Sequence, residues 1–195
     1  MPDRITDELL LERAEGGDQA AFVQLYERHR NGIFRFVYRL SGSVDVAEDI
    51  THDCFLSLIA RPGAFHAERG SLKTYLYSAA RNLSLKYFRN AAREAGVEDL
   101  NGEPLSPLGD QPLPRLLDEE LSSKVKEAVL SLPPLQREAL VLFEYEGLAL
   151  TEIASVVGTE VGAVKARLHR ARESMKTMLW PYLNSSREIV TLEKA

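Results

Sequence analysis

The sequence predicts an all-α protein: two small helical domains joined by an acidic, flexible linker, with a helix-turn-helix in the second. Three observations carry this reading. Apolar residues recur at spacings of three and four through nearly every segment, and no run alternates as a half-buried strand would. Between residues 94 and 120 eight acidic residues stand against one basic residue among repeated Pro and Gly, whereas the stretches on either side each sum to +1. Finally, residues 147–176 write out a helix, a glycine turn and a second helix with one apolar and one cationic face.

Taken in order, helical spacing runs over Asp7–Glu15, Gln19–Leu40, Asp45–Ile59, Leu72–Arg93, Asp118–Leu130 and Pro134–Glu144. Ser41-Gly42-Ser43 separates the second helix from the third, and Arg61-Pro62-Gly63 ends the third. Pro133 closes one helix and Pro134 opens the next, because proline suits a first turn. The resulting plan is a domain over 1–93, a linker over 94–117, a second domain over 118–180 and a tail over 181–195. The linker reads as extended and anionic. Its leucines at 100, 105, 108 and 113 leave an ordered loop as the alternative, and the tail reads either as a frayed helix end or as a small docking segment.

Composition narrows the function. With 195 residues, 45% of them hydrophobic, and no apolar run long enough to span a bilayer, the chain reads as a globular, cytoplasmic protein without membrane insertion. Cys54 is the single cysteine and reads as a small core side chain. No histidine has a partner at i+4, so no metal and no cofactor are expected.

Three helical faces carry the chemistry. In the helix-turn-helix Thr151 is expected to cap the first helix, Gly158 to turn the corner and Thr159 to cap the second. Along that second helix Val161, Val164, Leu168, Ala171 and Met175 form a packing face, while Lys165, Arg167, His169, Arg170 and Arg172 point elsewhere, toward phosphates and base edges. Residues 78–93 contain Arg81 and no acid, and Asn82, Lys86, Arg89 and Arg93 share one face. Phe65, Tyr75, Tyr77, Tyr87 and Phe88 lie around it. A cationic groove with aromatic platforms suits single-stranded DNA, and Phe65, bracketed by Pro62-Gly63 and Arg69-Gly70, is the best loop platform. Asp45, Glu48, Asp49 and Asp53 give the third helix an acidic side. A protein-docking face and a solvated face fit that pattern equally.

Five motifs then carry a resemblance. Phe22-Val-Gln-Leu-Tyr26, the acidic helix Asp45–Phe55, Leu72-Lys-Thr-Tyr-Leu-Tyr-Ser-Ala-Ala-Arg-Asn82, Leu132-Pro-Pro-Leu-Gln-Arg-Glu-Ala139, and Glu152-Ile-Ala154 followed by Val161–Arg172 stand in the order and spacing of bacterial sigma factors of the extracytoplasmic-function group. The resemblance spans about Phe22 to Leu179.

What it implies is specific. Asp45, Glu48, Asp49, Thr51, His52 and Asp53 become candidate contacts to core RNA polymerase, with His52 and Asp53 where the family usually has glutamine and glutamate. Phe65 in the loop over 64–71, Tyr75, Asn82, Lys86, Arg89 and Arg93 become candidates for the minus-ten element. Tyr75 stands where a tryptophan is common. Lys165, Ala166, Arg167, His169, Arg170 and Arg172 turn toward the minus-thirty-five element. Ala163 and Ala166 replace two hydroxyl residues frequent in the family, shifting weight to arginine and phosphate contacts. Leu140, Phe143, Glu144 and Glu146 are weaker candidates for packing on the polymerase. The implied partners are core RNA polymerase, promoter DNA and an anti-sigma factor, and the chain makes and breaks no bond. A sigma-like decoy that binds a regulatory protein and a plain helix-turn-helix repressor are the competing readings. A repressor has no need of the acidic and the aromatic-cationic helices together.

Overall fold

A computed structural model describes residues 5–61, 63–94 and 118–192, with only the backbone at 118–121 and 183–192. Eight α-helices, and no strand, occur among the described residues.

α1 (Asp7–Glu15) begins where the Thr6 hydroxyl accepts the Leu9 N–H at 3.3 Å. After the Gly16-Gly17 corner, Asp18 caps α2 (Gln19–Ser41) by accepting the Ala21 N–H at 3.1 Å, and its carboxylate also meets Arg13 at 2.6 Å. These contacts hold the Asp18 carboxyl below the usual carboxylate range, the Ala21 N–H first and Arg13 next. Gly42 ends α2 at φ 74°, a left-handed turn that returns its N–H to the Tyr38 carbonyl at 2.8 Å. Ser43 then caps α3 (Val44–Ala60). A 3-10 turn, Ala67–Arg69, precedes α4 (Leu72–Glu94). Leu10, Leu25, Ile33, Phe36, Phe55, Leu58, Leu72 and Leu76 fill the space between these four helices.

In the second domain α5 (Asp118–Ser131) leads to Pro133 and to α6 (Pro134–Leu140), with Pro134 in the first turn as expected. The single helix expected through Glu144 is corrected. After Leu140 the ladder widens into a π-helical turn, Val141–Tyr145, and Glu146 sits just beyond it. α7 (Leu150–Val157) and α8 (Val161–Leu192) form the helix-turn-helix around Gly158, at φ 65°. Both expected hydroxyl caps are displaced. α7 starts before Thr151, because the Glu152 carboxylate reaches back to the Ala149 N–H at 2.8 Å. α8 starts after Thr159, its first bond running from the Val164 N–H to the Glu160 carbonyl. α8 also continues past Trp180 to Leu192 with Pro181 inside it, so the start of the expected tail prolongs the last helix. The linker expected over 94–117 lies outside the described residues, except for Glu94, which closes α4.

The two domains pack on each other, α7 against α4 and the α5–α6 region against α2.

Candidate functional site

Helical phase decides which candidates reach solvent. On α3, Val46, Ala47, Ile50, Cys54, Phe55 and Leu58 face inward, which turns Asp45, Glu48, Asp49, His52 and Asp53 out. Thr51 is the exception: it is 5% exposed, and its hydroxyl has no hydrogen-bond partner among the described residues. Asp45 lies in the first turn of α3, where its charge also favours the helix dipole. Opposite this acidic face, Tyr26, Arg30, Asn31 and Phe34 of α2 complete a groove of 680 Å³. Tyr26 closes the first of the five motifs, but Arg30, Asn31 and Phe34 were not singled out in the sequence, although the i, i+4, i+8 spacing of Tyr26, Arg30 and Phe34 marks them as one face. The groove thus has an acidic wall and a mixed aromatic and cationic one.

α4 presents the second surface. Asn82, Lys86, Arg89 and Arg93 are all exposed. Tyr75 stands two turns before Asn82 and shares their stripe, because seven residues advance a helix by nearly two full turns. Phe65 meets Tyr75 edge to face at 5.8 Å, and both rings are half-buried against the core. Burial first, and then the Cys54 side chain, push the Tyr75 phenol up from its ordinary value. The stripe runs from this aromatic pair to the cations over about 27 Å at the helical rise. Tyr77 is buried, Phe88 is half-buried and Tyr87 is exposed, so the five aromatics divide between core and surface. Arg81, one position off the stripe, instead points into the domain interface and pairs with Glu138 of α6.

α8 presents the third surface. Val164, Leu168 and Ala171 are buried, and Val161 and Met175 pack beside them. Lys165, Ala166, His169 and Arg170 form one exposed face. Two expected members depart from it. Arg167 is half-buried with its Nη1 enclosed beside Glu138, because a step of 200° from Lys165 swings it to the rear of the helix. Arg172 is exposed but engaged, pairing with Glu144 at 2.7 Å and lying 5.2 Å from the Phe143 ring centre.

The domain interface was the least legible part of the sequence. Glu138 is 5% exposed, and burial pushes its carboxyl up from the ordinary 4.5, against the opposing pull of Arg81 and Arg167. Arg137 donates to the Leu40 carbonyl at 2.8 Å and to the Leu132 carbonyl at 3.0 Å. Glu146, expected to face the polymerase, is instead 8% exposed and turned into the first domain. It accepts from the Tyr77 hydroxyl at 2.8 Å and meets Arg39 at 3.3 Å and Arg35 at 3.7 Å. Leu140 is likewise buried. No group of acids, histidines and cysteine suited to a metal ion occurs among the described residues. No helix among them is long and apolar enough to cross a membrane.

Comparison with known proteins finds two family matches along the chain. The family model described as sigma-70 region 2 matches residues 25–94, and that described as sigma-70 region 4 matches residues 122–175. The chain is 30% identical to the ECF RNA polymerase sigma factor SigW of Bacillus subtilis over 87% of its own length and 94% of SigW. It is also 30% identical to the ECF RNA polymerase sigma-E factor of Escherichia coli K12, over 94% of its own length and 99% of that protein. Among solved structures, the sigma factor RpoE of Bartonella quintana, in complex with the anti-sigma factor NepR, superposes with a TM-score of 0.68. That match is 26% identical and covers 81% of this chain and 96% of RpoE.

Proposed function

Because the chain belongs to the extracytoplasmic-function group of the sigma-70 family, we propose a division of labour among its surfaces in promoter-directed transcription initiation. Residues 1–93 bind core RNA polymerase and the minus-ten element, residues 94–117 tether, and residues 118–180 read the minus-thirty-five element.

The exposed acids of α3 form the polymerase contact. Asp45, Glu48, Asp49 and Asp53 present charge, His52 presents a hydrogen-bonding ring, and Thr51 supports them from below. The α2 wall of the same groove adds Tyr26, Arg30, Asn31 and Phe34. Next to this surface, the α4 stripe holds the non-template strand. Lys86, Arg89 and Arg93 neutralise phosphates, Asn82 hydrogen-bonds base edges, and Phe65 with Tyr75 offers rings to an unstacked base. On α8, Lys165 and Arg170 reach guanine edges, Ala166 contacts a thymine methyl, and His169 adds a hydrogen bond. Arg167, turned to the rear of α8 beside Glu138, supports this face from within the domain, and Arg172 chiefly braces α8 against Glu144. No covalent step is assigned to any side chain: binding free energy places the polymerase and traps the opened strand.

The observation that carries this reading is the juxtaposition, in one four-helix domain, of an exposed acidic face on α3 and an exposed cationic-aromatic stripe on α4. The partners are core polymerase, promoter DNA and an anti-sigma factor, in the cytoplasm. Run-off transcription from a genomic-fragment library, with purified core polymerase and with or without this chain, tests it. Transcripts that start only when the chain is present support the reading. Core binding without any specific start would instead mark a sigma-like decoy.

A further inference from the structure

Among the described residues Glu146 is a charge enclosed almost completely at the meeting of the two domains. It follows the π-helical turn and precedes Gly147, and its side chain, which the resemblance turned toward the polymerase, is 2% exposed. Four groups of the other domain surround it. Two guanidinium groups come from Arg35 and Arg39, one turn apart on α2, and the Tyr77 hydroxyl comes from α4. Lys73, also on α4, donates to the Glu146 main-chain carbonyl at 3.1 Å. The Arg39 guanidinium also lies 4.2 Å from the Tyr145 ring centre, so consecutive residues engage the same arginine. Clearance for this approach is built into α2. A Cβ on Gly32 would stand 2.7 Å from the Tyr77 hydroxyl and 3.6 Å from Glu146 Oε2.

We propose that Glu146 is an intramolecular latch: its carboxylate in the Arg35–Arg39–Tyr77 slot holds the two domains closed, and the latch must release before the chain can engage a promoter. This rests on the promoter-reading function assigned above. Minus-ten and minus-thirty-five elements are centred about 25 base pairs apart, or about 85 Å along B-form DNA at 3.4 Å per step. A compact chain of this length has a radius of gyration of about 16 Å and a diameter of about 40 Å. The closed form cannot reach both elements at once. Residues 95–117 give a covalent reach of at most about 80 Å, enough for the domains to part. Closure also costs function directly, since α7 rests on α4, the helix that carries the minus-ten stripe.

A charge-assisted carboxylate contact of this kind shifts an equilibrium by about tenfold to a hundredfold when broken. The test uses the full chain with spin labels on cysteines introduced at exposed Glu27 and Lys176, one in each domain, and with Cys54 too buried to label. Double electron–electron resonance reads the distance between them. The native chain is expected to give a short distance. Glu146→Ala is expected to move most of the population to longer, broad distances, with both domains still protected in hydrogen exchange. Glu146→Arg combined with Arg39→Glu is expected to restore part of the short population, which lost packing alone would not do. An unchanged distance distribution in Glu146→Ala, or no recovery in the swap, overturns the latch. Transcription assays on the same variants read the initiating role separately: an open chain that starts no transcript leaves the latch standing and removes that role.

Discussion

Arg81→Ala leaves Glu138 buried without its main partner, and the structure sets the size and pH dependence of the result. Glu138 is 5% exposed, only one of its oxygens is hydrogen-bonded, and that bond goes to Arg81. Removing one partner of a buried pair costs about 3–5 kcal/mol at neutral pH. The cost is capped, however. The pair spans the domain interface, so the chain can part its domains and solvate Glu138 more cheaply than it can unfold. The pH dependence follows from the raised carboxyl. At a pH below the ordinary 4.5 the carboxyl is protonated in both folded and unfolded chains, and no charge is buried. As pH rises, the unfolded chain releases its proton first while the folded chain still holds one, so stability falls through this window until the folded carboxyl ionises too. Arg81→Ala pushes the folded carboxyl higher and extends the window upward. The assay is chemical denaturation and hydrogen exchange of native, Arg81→Ala and Arg81→Ala/Glu138→Gln chains at pH 5 and 7.5. Expected are a larger loss at pH 7.5 than at pH 5 in the single variant, and recovery of most of it in the double. Equal losses at both pH values, or no recovery in the double variant, would refute the reasoning.

Three further outcomes test the proposed surfaces. Asp49→Arg, on an exposed helical face, is expected to change stability by no more than about 0.5 kcal/mol while abolishing pull-down of core polymerase; retained pull-down would remove the acidic face from that contact. Arg170→Ala is expected to weaken promoter binding by the assembled holoenzyme by about 1–3 kcal/mol without loss of core binding, read by footprinting. Lys86→Ala is expected to reduce the salt slope of minus-ten strand binding by about 0.7, the value for one phosphate contact on a single strand; an unchanged slope would place Lys86 away from the backbone.

The helices were legible because each repeats its own evidence: every buried residue of α3 except Thr51 is a small or apolar side chain on the inward period, and Gly42 marks the chain reversal as only a left-handed residue does. The exposed chemistry was legible for the same reason. A face that does not pack is free to be acidic on α3 or cationic on α4, and the sequence shows it directly. What escaped depends either on a competing local cap or on partners far along the chain. Thr151 has the right side chain for a cap, but Glu152 reaching back to Ala149 starts the helix earlier. Arg167 sits among cations and is separated from them only by the angle at which α8 lies on its neighbours. Glu146 carries no local sign at all, since its meaning lies in Gly32, Arg35, Arg39 and Tyr77, about 70 to 115 positions earlier in the sequence.

Cys54 packs fully buried between α3 and α4, its thiol touching the Leu76 carbonyl at 3.5 Å, and burial pushes it up to about 12. A thiol raised and enclosed in this way offers little thiolate at neutral pH, and oxidants attack the thiolate. The chain therefore has no sulfhydryl through which peroxide or a disulfide stress can act on it. A thiol-borne response to such a stress belongs to another molecule and reaches this chain through contact.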